Sequence, residues 1–399
     1  MFEPSQEILK KYADVLIKFA LWGGEGIKKG DVVFLNVPES AKPLLVELQR
    51  SILEAGGHFI TNYIPEGVGR DFFELANDEQ IGFWPEKYLL ERVNVCDHFL
   101  HIVSSWDKYE LKGIDSKKII SRQKGAKFYM DARTEKENAG KLTWTIGLYG
   151  TEAMAEDVGM TIEEYWNEII KACFLDEHDP IAKWQEIQDS IEKTQEKLNK
   201  LDIQKVHVQG EDVDLHITIG EKRQWLGGTG RNIPSFEIYT SPDWRGTNGW
   251  IRFNQPLYRY GNIIRGIELE FKDGVIISSK ASENEELLKD MIAAENADKI
   301  GEFSLTDRRF SRITKFMGET LYDENVGGEF GNTHIAVGAS YHDAFTGDMP
   351  SQSKEDWARM GFNESAIHTD IMSTTNRKVT AELGNGESIV IYDNGEFQI

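Results

Sequence analysis

The spacing of apolar positions divides the chain before any residue is counted. In residues 5–22, Ile8, Tyr12, Val15, Phe19 and Leu21 recur at near-helical intervals behind Ser5, which can cap a helix start. Glycines at 23, 24, 26 and 30 then punctuate a turn, and Asp31–Asn36 reads as a short buried strand. Leu44, Leu45, Leu48, Ile52 and Leu53 predict a second helix over 41–55, stopped by Gly56-Gly57, and His58–Tyr63 predicts a second strand. Apolar runs at 98–103 and 126–130 predict further strands with helix-like segments between them. Such alternation of strand and helix predicts a mostly parallel sheet covered by helices.

Residues 160–201 read as mainly helical. Thr161-Ile-Glu-Glu164 has the form of a capping box, and Asp179-Pro180 opens a second helix with Trp184, Ile187, Ile191, Leu198 and Leu201 on one face. After about residue 203 the texture changes to alternating or β-branched runs at 206–208, 213–219, 263–271 and 275–278. Lys272-Asp273-Gly274 is a hairpin signal between the last two. The predicted fold is α/β: an N-terminal mostly parallel α/β domain over residues 1–205, then a C-terminal mixed α+β domain over 206–399. The second domain carries the candidate metal-site residues.

Composition narrows the function. The 399 residues are 40% hydrophobic and carry a net charge of −22, which excludes a disordered chain and argues against a nucleic-acid or anionic-membrane partner. The plain reading of the acidity is solubility; the sharper one is a field that attracts cations such as metal ions or free amino termini. Cys96 and Cys173 form no disulfide framework and no cysteine zinc site. Lys10, Lys11, Asp14 and Lys18 interrupt the first apolar stretch, so it does not read as a signal peptide, and no run approaches the ~18 apolar residues of a membrane span. A cytoplasmic location is expected.

Several motifs fail. Gly24–Gly30 lies between a helix and a strand, the reverse of a phosphate-binding loop. Gly338-Ala-Ser340-Tyr-His342 lacks the second glycine of a nucleophile elbow. The informative residues lie after position 230. Glu237 sits between Phe236 and Ile238, and Glu302 stands in Ile300-Gly-Glu-Phe-Ser-Leu305. His334 heads the run Ile-Ala-Val-Gly338. His368 and Asp370 stand at i and i+2, hence on one side of a strand. Singly, each has a bland reading: an edge carboxylate paired with arginine, or a hydrogen-bonded core histidine. Together they are three carboxylates and two imidazoles, a donor set for divalent ions and enough for a pair of them sharing a carboxylate.

These segments resemble the M29 family of metallo-aminopeptidases, the thermophilic aminopeptidases. The family motifs N-x-P-x-x-E-x-(F/Y)-T-x-P, I-G-E, H-I-A-x-G-x-x-Y and I-H-x-D match Asn232–Pro242, Ile300–Glu302, His334–Tyr341 and Ile367–Asp370 in order. Leu321-Tyr-Asp-Glu-Asn325, Thr143-Trp-Thr145 and Asp179-Pro…Trp184 extend the likeness over most of the chain. The resemblance implies metal ligands at Glu237, Glu302, His334, His368 and Asp370, with Glu302 bridging, and an active-site tyrosine at Tyr341. It implies two divalent ions (Zn, Co or Mn), short peptides with a free N-terminus as substrate, and a homodimer. Two departures stand out: Ser235-Phe236 replaces small residues and is expected to narrow the pocket, and the stretch 326–333 is longer than in some members. Two other readings compete. A single-iron ring-cleaving dioxygenase of related fold would need only His334, His368 and Asp370, and a non-catalytic relative would have lost a ligand.

Overall fold

In the first half of the chain, strands β1 (Val32–Pro38), β2 (His58–Ile64), β3 (His98–Val103) and β4 (Thr143–Leu148) pair in parallel, in the order β2-β1-β3-β4. A parallel sheet buries both faces under its crossover helices, so β1 carries Val33, Phe34, Leu35 and Val37 without strict alternation. The edge strand β2 is mostly part-exposed. The first helix, Gln6–Lys18, packs through Tyr12, Val15, Leu16 and Ile17, all fully buried. The Tyr12 hydroxyl is satisfied by accepting the Leu148 N–H at 2.8 Å. That helix ends at Lys18, short of the expected residue 22: Phe19 leaves the helical backbone (φ −128°), and Trp22 and Gly23 then turn the chain with positive φ.

The predicted strand at 126–130 is a correction. Those residues open the helix Lys127–Asn138, in which Tyr129 and Ala132 pack against Phe34, Val93, Cys96, Phe99 and Leu142. The short apolar run was ambiguous, and the helix-forming Ala-Arg-Thr-Glu-Lys-Glu stretch that follows decides it. The fourth strand is instead Thr143–Leu148. The capping box forms as predicted: Thr161 Oγ1 accepts from Glu164 N–H at 3.2 Å, and Thr161 N–H donates to Glu164 Oε2 at 2.9 Å.

The computed structural model describes residues 2–227, 230–259 and 262–399. It divides into one unit of Met1–Gln185 with Thr229–Pro234, and another of Glu186–Gly228 with Ser235–Ile399. The chain passes between them inside the helix Pro180–Lys200. The short return joins the first unit because Ile146 N–H donates to Arg231 O at 2.9 Å. Among the described residues, no helix is long and apolar enough to cross a membrane.

The second unit is antiparallel. Its strands are β5 (Ile203–Gly210), β6 (Val213–Thr218), β7 (Leu226–Gly227), β8 (Glu237–Thr240), β9 (Asp243–Arg252), β10 (Leu257–Arg259), β11 (Asn262–Ile264), β12 (Glu268–Lys272), β13 (Val275–Lys280), β14 (Ile300–Thr306), β15 (Asn332–Gly338), β16 (His368–Ser373), β17 (Arg377–Leu383), β18 (Ser388–Asp393) and β19 (Glu396–Phe397). They form an eight-stranded sheet, β13-β12-β9-β6-β5-β17-β18-β19, a five-stranded sheet, β16-β15-β14-β8-β7, and the small pair β10-β11. The β12–β13 hairpin turns at Asp273 (φ 51°) and Gly274 (φ 85°), the backbone its sequence signal demands. The predicted single run 263–271 is broken at Gly266 (φ 62°), where a Cβ would meet Ser282 Oγ at 2.6 Å.

Candidate metal centre

The five-stranded sheet explains how distant residues meet. Antiparallel partners point to the same side, and so do alternate residues along one strand. Register pairs Thr306 with Glu237, Ser304 with His334, Ala336 with Asp370 and Gly338 with His368. Glu237, Glu302, His334, His368 and Asp370 therefore share one face. The opposite face carries Ile238, Phe303, Leu305, Ile335, Val337 and Ile371, all essentially buried. Apolar packing behind the sheet holds the polar cluster in front of it. Every residue of β14 and β15 is buried, so the central ligand candidates are withdrawn from water.

The side chains converge. His334 Nε2 lies 3.2 Å from Glu237 Oε2 and 3.2 Å from Glu302 Oε1. On the other side, His368 Nε2 lies 3.8 Å from Glu302 Oε2 and 3.4 Å from Asp370 Oδ1. The Glu302 carboxylate thus turns one oxygen toward each histidine. Two trios share it: Glu237, Glu302 and His334, and Glu302, His368 and Asp370. In each, one donor atom per residue lies within 4.8 Å of the others. His368 Nδ1 is 2.8 Å from Ala339 O; donation to that carbonyl fixes the tautomer that leaves Nε2 with a lone pair.

Titration behaviour shows what the cluster lacks. Burial pushes the Glu302 carboxyl up to about 7, with Glu237 and Asp370 adding to it. Burial alone would lower His334, yet its bonds to Glu237 and Glu302 hold it well above the ordinary imidazole value. Burial likewise opposes the His368 charge, and Asp370 and Glu302 outweigh it, to about 9. These shifts share one cause, a concentration of buried carboxylates around two imidazoles that favours positive charge. A divalent ion on the same N and O donors supplies that charge better, so the residues present fit one.

Comparison with known proteins bears on this geometry. The family described as thermophilic metalloprotease (M29) matches residues 5–397. The chain belongs to the M29 family. It is a metal-dependent hydrolase of the metallopeptidase kind. Aminopeptidase AmpS of Bacillus subtilis (strain 168) is 28% identical over 413 residues, covering 98% of each chain. Aminopeptidase T of Thermus thermophilus is 27% identical over 395 residues, 92% of this chain and 93% of the relative. The solved structure of wild-type AmpT from Thermus thermophilus covers 99% of this chain and 100% of its own, with a TM-score of 0.85 and 22% identity, and so shares the fold.

In this M29 chain the structure gathers every residue singled out from the sequence. Tyr341 follows β15 and sets its ring against His368, centroids 4.6 Å apart. Its N–H donates to Ser241 Oγ at 2.9 Å, and Tyr239 packs edge-on at 6.0 Å. Its side chain is nearly half exposed, and partial removal from water with the charges of Glu302, Asp370, Glu324 and Glu237 raises the phenol above its ordinary value. Two neighbours went unnoticed as site residues. Ser304, on the same face as the cluster, donates to Glu237 Oε2 at 3.2 Å. Glu324, just past the short helix Thr320–Asp323, is buried; burial and the charges of Glu237 and Asp370 raise its carboxyl well above the usual range. Its signal was a carboxylate inside Leu321–Asn325, otherwise quoted only as a family feature. Phe236 is fully buried together with Ile238, and its N–H donates to Asn325 Oδ1 at 2.7 Å.

Proposed function

We propose that the protein removes N-terminal amino acids from short peptides, with water activated between two divalent ions (Zn, Co or Mn). The supporting observation is the Glu302 carboxylate, which offers one oxygen to each of two donor trios. Glu237, Glu302, His334, His368 and Asp370 would hold the ions, which would supply an acidified water and a Lewis acid for the scissile carbonyl. Glu237 and His334 form one side, with Ser304 orienting Glu237; His368 and Asp370 form the other, with Ala339 O orienting His368. Tyr341 keeps its proton and donates it in a hydrogen bond to the developing oxyanion. Glu324, buried and proton-retaining beside the cluster, carries the proton to the leaving amine. A single-iron triad would leave Glu237 and Glu302 idle, whereas both lie 3.2 Å from His334.

The same reading extends to the whole chain. The catalytic work belongs to residues 206–399, the free α-amino group of the peptide is the recognised end, and the enzyme acts as a cytoplasmic homodimer. The buried free thiols of Cys96 and Cys173 suit a reducing compartment. The test is hydrolysis of aminoacyl-4-nitroanilides by metal-stripped protein, with Zn, Co or Mn added back, beside Glu302→Gln. Release that returns with metal, fails in the variant and fails on N-acetylated substrate is expected. Equal cleavage of acetylated and free substrates would overturn the exopeptidase reading, and a stoichiometry of one iron would overturn the two-ion centre.

A further inference from the structure

A second group of metal-type donors stands on the other, eight-stranded sheet. His207 on β5 is directly opposite His216 on β6, and Asp214 is the next residue on the same side of β6. Val206, Val208, Leu215 and Ile217, which alternate with them along the two strands, are buried, so the three polar side chains occupy the solvent side. The imidazole rings stack, centroids 3.9 Å apart and planes 16° apart. His207 Nε2 lies 2.6 Å from Asp214 Oδ1. One donor atom from each of the three lies within 4.8 Å of the other two.

We propose that His207, Asp214 and His216 bind a third divalent transition-metal ion, of the zinc or copper kind, apart from the centre built on Glu302. Two imidazoles and one carboxylate are an N, N, O set; calcium and magnesium prefer oxygen alone, and borderline ions take imidazole. Bonds of about 2.0–2.2 Å from one ion require donors within roughly 4 Å of each other, which the two rings reach by rotating out of their stack so that their nitrogen lone pairs converge. Water completes the coordination. The scaffold is stiff, since Gly210 pairs with Val213 and a two-residue turn joins the strands.

A His207–Asp214 ion pair by itself accounts for the short contact, and it leaves the stacked second imidazole without a role. Two charged imidazoles stacked face to face would repel, so the arrangement favours at least one neutral ring, the form that ligates. The bound ion would tie β5 to β6 near the middle of the eight-stranded sheet.

The experiment is metal uptake by the holoenzyme, with Cu(II) as spectroscopic probe, in wild type, His216→Gln and Asp214→Asn. The centre on Glu302 is common to all three and cancels. Wild type is expected to take up one more ion per chain than either variant, with nitrogen hyperfine structure in its Cu(II) spectrum that both variants lose. Peptide hydrolysis and thermal midpoint without added copper should be unchanged, because the altered side chains are exposed. Equal uptake by all three proteins, or an extra ion that persists in either variant, overturns the site.

Discussion

Tyr341 and Glu324 show how single residues acquire roles from their surroundings. Tyr341 touches His368, and partial removal from water together with the nearby carboxylates raises its phenol above the ordinary value, which suits a hydrogen-bond donor. Tyr341→Phe is expected to lower kcat by about 100-fold or more with KM little changed, the pattern of a donor used in the transition state. A wild-type kcat would remove Tyr341 from the chemistry. Glu324 is a buried carboxyl whose proton affinity is raised by removal from water and by the charges of Glu237 and Asp370. Glu324→Gln keeps the shape and removes proton transfer, and a loss of ~100-fold in kcat is expected. Steady-state assays on aminoacyl-4-nitroanilides measure both.

Elements hold these residues through two glycines. A Cβ on Gly301 would stand 2.1 Å from Ala339 O, and one on Gly338 (φ 104°) would stand 2.0 Å from Ile367 O. The glycine of Ile-Gly-Glu is needed because the strand end beside it passes that close. The same Ala339 carbonyl accepts from His368, so backbone displacement there moves a ligand candidate. Gly338→Ala should cost at least ~2 kcal/mol of stability and reduce activity. Gly82→Ala, where nothing lies within 4 Å, should be neutral or slightly stabilising. Thermal unfolding distinguishes them.

The polar face as a unit predicts a pH dependence. In metal-stripped protein Glu302 is raised to about 7 and His368 to about 9. Raised groups bind more protons folded than unfolded, so their stabilisation is complete below the unfolded values and is lost as pH rises through the folded ones. The Glu302 share is lost between about pH 4.5 and 7 and the His368 share between about 6.5 and 9, so the midpoint of the stripped protein should fall most clearly from about pH 6.5 to 9. His98, His101, His216 and His342 are lowered and act below that window. A flat or rising midpoint would contradict the cluster.

For the whole molecule, a net charge of −22 and a buried acidic cluster both favour bound cations. Chelation should abolish hydrolysis and lower the thermal midpoint above pH 7, and added divalent ion should restore both, since binding to the folded state alone stabilises it. Calorimetry with and without chelator checks this.

The sequence by itself determined the alternation Glu302-Phe-Ser304-Leu-Thr306 and its counterparts on β15 and β16, because side-chain direction along a strand repeats every two residues. It determined the parallel sheet of the first half and the turn at Asp273-Gly274 for equally local reasons. The helix at 127–130 was also within reach of the sequence, through the helix-forming residues 132–137 that follow, and Tyr129 and Ala132 then pack on the core beside Phe34 and Phe99. Only the tertiary structure decided that Thr306 pairs with Glu237 and Gly338 with His368, and that Glu324 arrives beside them from outside the sheet. Register is settled by burial across long loops, and no local window of residues contains the partners that must be buried together.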